Sequence, residues 1–239
     1  MAKGVHDGLW LGAAGNALLD RIDDAFYRAD GLYCDPAYNR SGLLAWEADA
    51  VDRWFEGRSR LAVTGAGGGR EVLALVGDGR EPVGFECNPL LRDAANALLA
   101  EEGTAARVHP VARHQWPAEP PGSYDGVIVG WGSFMLTPGR ARRVEFLRGA
   151  RAATAEGCPV LVSFYCRPTG RAYFSTVAAV AGAVRRARRQ PPVERGDALT
   201  PNYVHYFTEA EIAGELADGG FEPVSFAAEP YGHAVGLAR

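Results

Sequence analysis

The chain of 239 residues has almost no lysine: Lys3 is the only one, so its positive charge is nearly all arginine. This excludes a buried-lysine Schiff base, a P-loop lysine and the Tyr-x-x-x-Lys pair of short-chain dehydrogenases. Cysteine is equally sparse. Cys34, Cys87, Cys158 and Cys166 include no C-x-x-C pair, which argues against a zinc ribbon, a thioredoxin-like motif or a disulfide scaffold. Reduced thiols and a cytoplasmic location follow as expectations. The five histidines show no helical zinc spacing, so no metal is expected. No apolar run reaches the roughly 18–20 residues of a membrane span, and residues 9–19 are broken by Gly12, Gly15 and Asn16. The net charge of −4 gives no basic field for nucleic acid, and 47% hydrophobic residues exclude a disordered chain.

Glycine is abundant, at 30 residues, and its placement is informative. Residues 1–58 read as a helical segment. Helical spacing runs over 13–28 and 42–55, around an irregular stretch containing Tyr33, Pro36 and Tyr38. From residue 59 strands and helices alternate. Strands are predicted at 60–64, 82–86, 107–112, 124–129 and 159–165, with helices at 70–76, 89–102, 138–154, 172–189 and 208–218. A closing hairpin is predicted over 221–227 and 233–238. This order predicts an α/β chain: a mostly parallel sheet with an antiparallel last strand and helices on both faces.

Val63-Thr64-Gly65-Ala66-Gly67-Gly68-Gly69-Arg70-Glu71 lies between a predicted strand and a predicted helix. Glycines there let the chain turn tightly and let a ligand approach the backbone. Glu86 follows Gly65 by 21 residues, at the end of the next strand, where a carboxylate can accept both ribose hydroxyls. The dinucleotide pattern G-x-G-x-x-G fails, because its last glycine would fall on Arg70. The pattern present is G-x-G-x-G, on Gly65, Gly67 and Gly69.

This loop with its acidic partner resembles the class I S-adenosylmethionine (SAM)-dependent methyltransferases. The likeness covers about residues 60–239. Tyr124-Asp125-Gly126-Val127-Ile128-Val129 is similar to the family's fourth-strand motif, residues 147–162 to the helix and fifth strand that follow, and residues 207–221 to its last helix. The resemblance implies a Rossmann-like seven-stranded sheet; the aromatic composition of residues 1–58 and the length of the crossover at about 167–202 add the expectation of an N-terminal helical cap and a lid insertion. It implies SAM as cofactor and S-adenosylhomocysteine as product. It puts the methionine moiety against Gly65, Ala66 and Gly67, on a loop completed by Gly69. Glu86 would hold the ribose, with Cys87, Asn88, Ala112 and Arg113 toward the adenine and Gly130 at the fourth strand's end. The chain departs from the family after the third strand, where an acid is usual: Val111-Ala112-Arg113-His114 carries none.

Trp131, Phe134 and Tyr33 are substrate-wall candidates, against a reading in which the first two are core. Tyr38 and Arg40 are candidates for the methionine end, Arg40 through its fork for a carboxylate. His205 is the candidate base, weighed against a backbone-bonded loop histidine; His114 is a weaker one. The stretch after Gly130 lacks both the Asn/Asp-Pro-Pro-Tyr cluster of DNA- and glutamine-methylating branches and the acid of the magnesium-dependent catechol branch. The expected function is metal-independent O- or N-methylation of a small-molecule or peptide acceptor. A silent SAM-fold binding module and an RNA methyltransferase using Arg185, Arg186, Arg188 and Arg189 remain alternatives. A homodimer is left open, and no membrane partner is expected.

Overall fold

The computed structural model describes residues 2–239 except Glu119, Pro121 and Arg171. The chain opens with α1 (Ala2–Ala13), α2 (Asn16–Ala29), a 3-10 turn (Gly31–Cys34), α3 (Pro36–Asn39) and α4 (Ala45–Trp54). It continues through β1 (Arg60–Thr64), α5 (Arg70–Gly77), β2 (Glu81–Glu86), α6 (Pro89–Glu101), β3 (Val108–Pro110) and β4 (Gly126–Val129). A 3-10 turn (Phe134–Leu136), α7 (Arg140–Ala152), β5 (Pro159–Cys166), α8 (Ala172–Ala187), β6 (Asp197–Leu199) and β7 (Tyr203–Phe207) follow. The last elements are α9 (Glu209–Asp218), β8 (Phe221–Ala227) and β9 (Gly232–Ala238).

Strands β3, β2, β1, β4 and β5 lie side by side and parallel. β9 pairs antiparallel with β5 along 159–164, and β8 pairs antiparallel with β9. These seven strands are the expected sheet. Alternate residues of β1 face opposite sides, as a pleated strand requires. Leu61 and Val63 pack with Val72 and Leu75 of α5, Ala95 and Leu99 of α6, and Val51 and the following Phe55 of α4. Ala62, with Val127 and Val160, packs on the side of Leu147 of α7 and Ile212 and Leu216 of α9.

Two helix starts show how local sequence sets the sheet's upper edge. At α6, Asn88 Oδ1 accepts from Leu90 N–H at 3.0 Å and Pro89 fills the first helical position. At α9, Thr208 and Glu211 form a reciprocal capping box.

Three readings are corrected. First, α1 forms ahead of residue 13, where no helix was predicted. Gly4, Gly8 and Gly12 fall on one helical face, and a Cβ at Gly8 or Gly12 would stand 2.8 or 2.6 Å from the Cβ of Val180 or Val184, so these glycines allow close packing on α8. Second, the stretch around His205 is a strand: β7 pairs antiparallel with β6, and its end adds Tyr206 and Phe207 to Tyr165 and Cys166 of β5. Third, β3 is only Val108–Pro110. Residues 1–58 also divide in their packing. Leu11, Ala14 and Leu19 join Val177 and Ala181 of α8, whereas α4 belongs to the sheet's own core.

Candidate functional site

Sheet order reverses at β1, between β2 and β4, so a crevice opens beyond the carboxyl ends of β1 and β4. A partly open cavity occupies it. Its floor is Thr64, Gly65 and Gly67; Glu86, Cys87 and Asn88 line one side and Trp131, Ser133 and Phe134 another. Ala112 and Arg113 reach it from the loop after β3, and Asp23, Tyr27 and Tyr33 from the N-terminal segment.

The loop's form is dictated by φ. Gly65, Gly67 and Gly69 stand at +62°, +52° and +94°, in the left-handed region that favours glycine. A Cβ at Gly67 would meet nothing within 4 Å, so this glycine leaves its space to the cavity. A Cβ at Gly65 would strike Ser133, and one at Gly130 would strike the Gly65 carbonyl. The ends of β1 and β4 can therefore approach only as glycines.

Glu86 is fixed from both sides. Gly67 N–H donates to Oε2 at 2.9 Å, and Asn88 N–H donates to Oε1 at 2.7 Å. Each carboxylate oxygen keeps a lone pair, enough for two further hydroxyl donors. Thr64 Oγ1, at the end of β1, is buried with no protein partner among the described residues. A buried, unpaired hydroxyl lining a cavity is a group that a ligand can satisfy. Cys87 is a neutral thiol, pushed up to about 12 by burial and by the neighbouring Glu86 carboxylate. Burial, with the nearby Tyr38 phenol, pushes Tyr33 up to about 12, so it stays a hydrogen-bond donor at neutral pH.

Beneath the loop lies a buried ion cluster. Arg70 makes a fork onto Glu47 at 2.6 and 2.7 Å and touches Glu71 at 2.8 Å. Glu71 Oε1 also accepts from Trp131 N–H at 3.0 Å. The cluster ties α4, α5 and the end of β4 together under the crevice.

The opposite wall is made of side chains. Arg113 Nη1 donates to Asp23 Oδ2 at 2.5 Å, and Nη2 donates to Asp24. Asn202 donates to Asp23 Oδ1 at 2.6 Å. His114 Nε2 lies 3.0 Å from Asp20 Oδ1; burial lowers its pKa, partly offset by Asp20.

Of the residues singled out in the sequence, Gly65, Gly67, Glu86, Cys87, Asn88, Ala112, Arg113, Trp131, Phe134 and Tyr33 line the cavity. Ala66, Gly69 and Gly130 stand behind its wall. Ala66 N–H is spent on Phe85 O at 3.1 Å, and Gly69 is the N-cap of α5. Tyr38 packs on Tyr33 and on the Arg70 guanidinium. Arg40 is drawn away, to Glu101 and Glu102 at the end of α6. His205 is not in the site: it is buried in β7, with Nδ1 2.7 Å from Asp197 Oδ1. Glu194, Asp197 and His205 lie close enough together to suggest a metal site. However, Arg143 supplies the positive charge there, 2.7 Å from Glu194. No described residue of 167–202 lines the cavity, and Arg171 lies outside the described residues. In the arginine cluster, Arg185 donates to Leu11 O and Ala14 O, and Arg188 to Ala13 O, so two of the four arginines cap the end of α1. Sequence reasoning did not single out Asp23; Tyr27, one turn further along α2 and one of the aromatics that marked residues 1–58 as a cap, lines the same cavity.

No family model matches the sequence, and no curated protein matches it. Solved structures do. A SAM-dependent methyltransferase from Methanosarcina mazei is 14% identical, with a TM-score of 0.65, over 82% of this chain and 98% of that one. A sugar N-methyltransferase from Streptoalloteichus is 18% identical, with a TM-score of 0.59, over 90% and 92%. A Burkholderia thailandensis 1,6-didemethyltoxoflavin N1-methyltransferase, solved with that molecule and S-adenosylhomocysteine, is 14% identical, with a TM-score of 0.64, over 94% and 91%. The fold is that of the class I SAM-dependent methyltransferases. Among the described residues no helix is long and apolar enough to cross a membrane.

Proposed function

We propose that this chain is a SAM-dependent methyltransferase acting on a small molecule. The observation that carries the reading is Glu86, clamped by Gly67 and Asn88 N–H groups above a glycine loop whose side toward the cavity is open. Glu86 accepts the ribose hydroxyls, Thr64 offers its unpaired hydroxyl beside the loop, and Gly65 and Gly67 let the methionine moiety lie on the backbone. When bound, the sulfonium supplies an electrophilic methyl group that is displaced in line by the acceptor's lone pair. The protein's task is then to aim the acceptor and exclude water. Trp131, Phe134 and Tyr33 form apolar wall for that purpose, and α2 with the 3-10 turn after it roofs the cavity.

The cavity supports a mechanism driven by positioning. Its acidic lining residues are two, Asp23 and Glu86, both already bonded to protein donors, fewer carboxylates than a hard divalent cation gathers. An acceptor that is a neutral amine or an ionised hydroxyl needs no protein base. The similar structures of a sugar N-methyltransferase and a 1,6-didemethyltoxoflavin N1-methyltransferase make a nitrogen acceptor the first to screen, with oxygen acceptors second. We place the protein in the cytoplasm, where its four free thiols stay reduced.

Calorimetry with S-adenosylhomocysteine tests the reading. Saturable one-to-one binding, lost in Gly67→Val, is the expected result. Preference for NAD, or undiminished binding by Gly67→Val, overturns it.

A further inference from the structure

We propose that Asp23, carried by α2 and not by the sheet, reads the exocyclic amino group of the nucleoside's adenine. The inference rests on the SAM reading above and adds a residue to it. With the ribose on Glu86 and the methionine chain on Gly65 and Gly67, the base extends toward Cys87, Leu91, Ala112 and Leu136. That part of the cavity offers flat apolar contact and one carboxylate besides Glu86, namely Asp23. Asp23 is 7% exposed, so its charge is directed inward and not to solvent. Val111 N–H donates to Glu86 O at 3.3 Å, so the loop that carries Arg113 starts beside Glu86 and Cys87, and Asp23 meets it there.

The polarity of the site suits the amino edge of adenine. Adenine presents an N–H donor at position 6 and a ring-nitrogen acceptor at position 1. Here a carboxylate acceptor, Asp23, stands directly against a guanidinium donor, Arg113, at 2.5 Å. The loop after β3, Val111-Ala112-Arg113-His114, has no acid to serve as that acceptor. Arg113 and Asn202 occupy part of the Asp23 carboxylate, one on each oxygen, and leave a lone pair on each. They also hold the carboxylate in place, so the recognition group is in position before the ligand arrives. A 6-oxo purine would set its carbonyl oxygen against the carboxylate, two acceptors with no proton between them.

The test compares S-adenosylhomocysteine with its deaminated analogue S-inosylhomocysteine by calorimetry. Wild-type protein is expected to prefer the adenosyl compound by at least about tenfold, the cost of roughly one lost charge-assisted hydrogen bond. Asp23→Asn can present an amide N–H to the 6-oxo group, so the preference should collapse or invert. Any general loosening of α2 weakens both ligands and cancels from the ratio. Asp24→Asn, which removes the other carboxylate paired with Arg113 but does not line the cavity, should keep the wild-type ratio. An Asp23→Asn ratio equal to wild type, in protein that melts as a folded domain, overturns the assignment while leaving the cofactor reading intact. Failure of wild type to bind either compound overturns both. Tight binding that Glu86→Ala does not weaken overturns the cofactor reading.

Discussion

The two walls of the cavity are built in different ways. The wall formed by β1, its glycine loop and β2 is contributed by consecutive residues and works largely through backbone: Gly67 and Asn88 N–H groups aim a single side chain, Glu86. The facing wall is assembled from side chains far apart in the chain, with Asp23 of α2 meeting Arg113 after β3, and Asn202, between β6 and β7, bracing Asp23 without lining the cavity. The first wall is rigid because its positions are set by the sheet and by the ion cluster beneath it. The second depends on a few polar contacts between elements that can separate without breaking the sheet. On the proposed reading, ligand grip and fold stability are concentrated in the first wall, and access and base discrimination in the second.

Removing the support of the first wall should have the largest effect. Arg70→Met leaves Glu47 and Glu71 as uncompensated carboxylates in a site that is nearly fully buried. Breaking one partner of such a group costs about 3–5 kcal/mol, which denaturant unfolding would read directly. Burial already raises the Glu47 pKa although Arg70 opposes it, so without Arg70 the group should take up a proton as the fold survives. Stability loss below about 1 kcal/mol would mean that the cluster is not what holds α4 under the loop. Glu86→Ala comes next. It should leave the fold intact and weaken S-adenosylhomocysteine by roughly 10–100-fold, since an ionised acceptor for two hydroxyls is lost. An unchanged dissociation constant would move the ribose elsewhere.

The same contrast governs what could be read from the sequence. The strand–loop–helix–strand run of the first wall was legible because spacing along the chain equals spacing in the structure there. Gly65, Gly67, Glu86 and Asn88 therefore line one cavity. The seven-stranded path was legible for the same reason, since alternating strands and helices admit few connections. The second wall was not. Asp23 lies on an amphipathic helix whose apolar pattern says only that it packs, and nothing in 16–29 names Arg113 as its partner. His205 misled because a histidine beside aromatics reads equally as loop or strand. In the fold Tyr203, His205 and Phe207 are all buried, and Asp197 on β6 satisfies the imidazole. Arg40 misled because a free fork on the sequence is taken up by Glu101 and Glu102, whose proximity only the fold reveals.

Arg113→Ala sharpens the comparison from the other side. It removes the ties to both Asp23 and Asp24 without touching the sheet. Hydrogen exchange of the α2 amides should accelerate about tenfold, with the amides of β1 and β4 unaffected. Ligand affinity should fall by less than in Glu86→Ala, because the ribose clamp remains. Equal acceleration in β1 would show that the two walls open as one unit.

The smallest effect tests the outermost part of the cap, where α1 is bound to α8. Arg185 lies in the last turn of α8 and donates to Leu11 O and Ala14 O, with Arg188 donating to Ala13 O. These are carbonyls at the end of α1, which have no partner within their own helix, and a cation placed there also meets the negative end of the helix dipole. The rest of the attachment is apolar: Leu11 and Ala14 are buried against Val177 and Ala181. Arg185→Ala should therefore cost about 1 kcal/mol or less, since the apolar contact survives and Arg188 still reaches one carbonyl. Thermal unfolding should register a small shift, while S-adenosylhomocysteine affinity stays at the wild-type value, because Arg185 does not line the cavity. A drop in affinity comparable to that of Arg113→Ala would show that α1 and α2 move together, and that the hold on the second wall extends from Arg113 to the far end of α8.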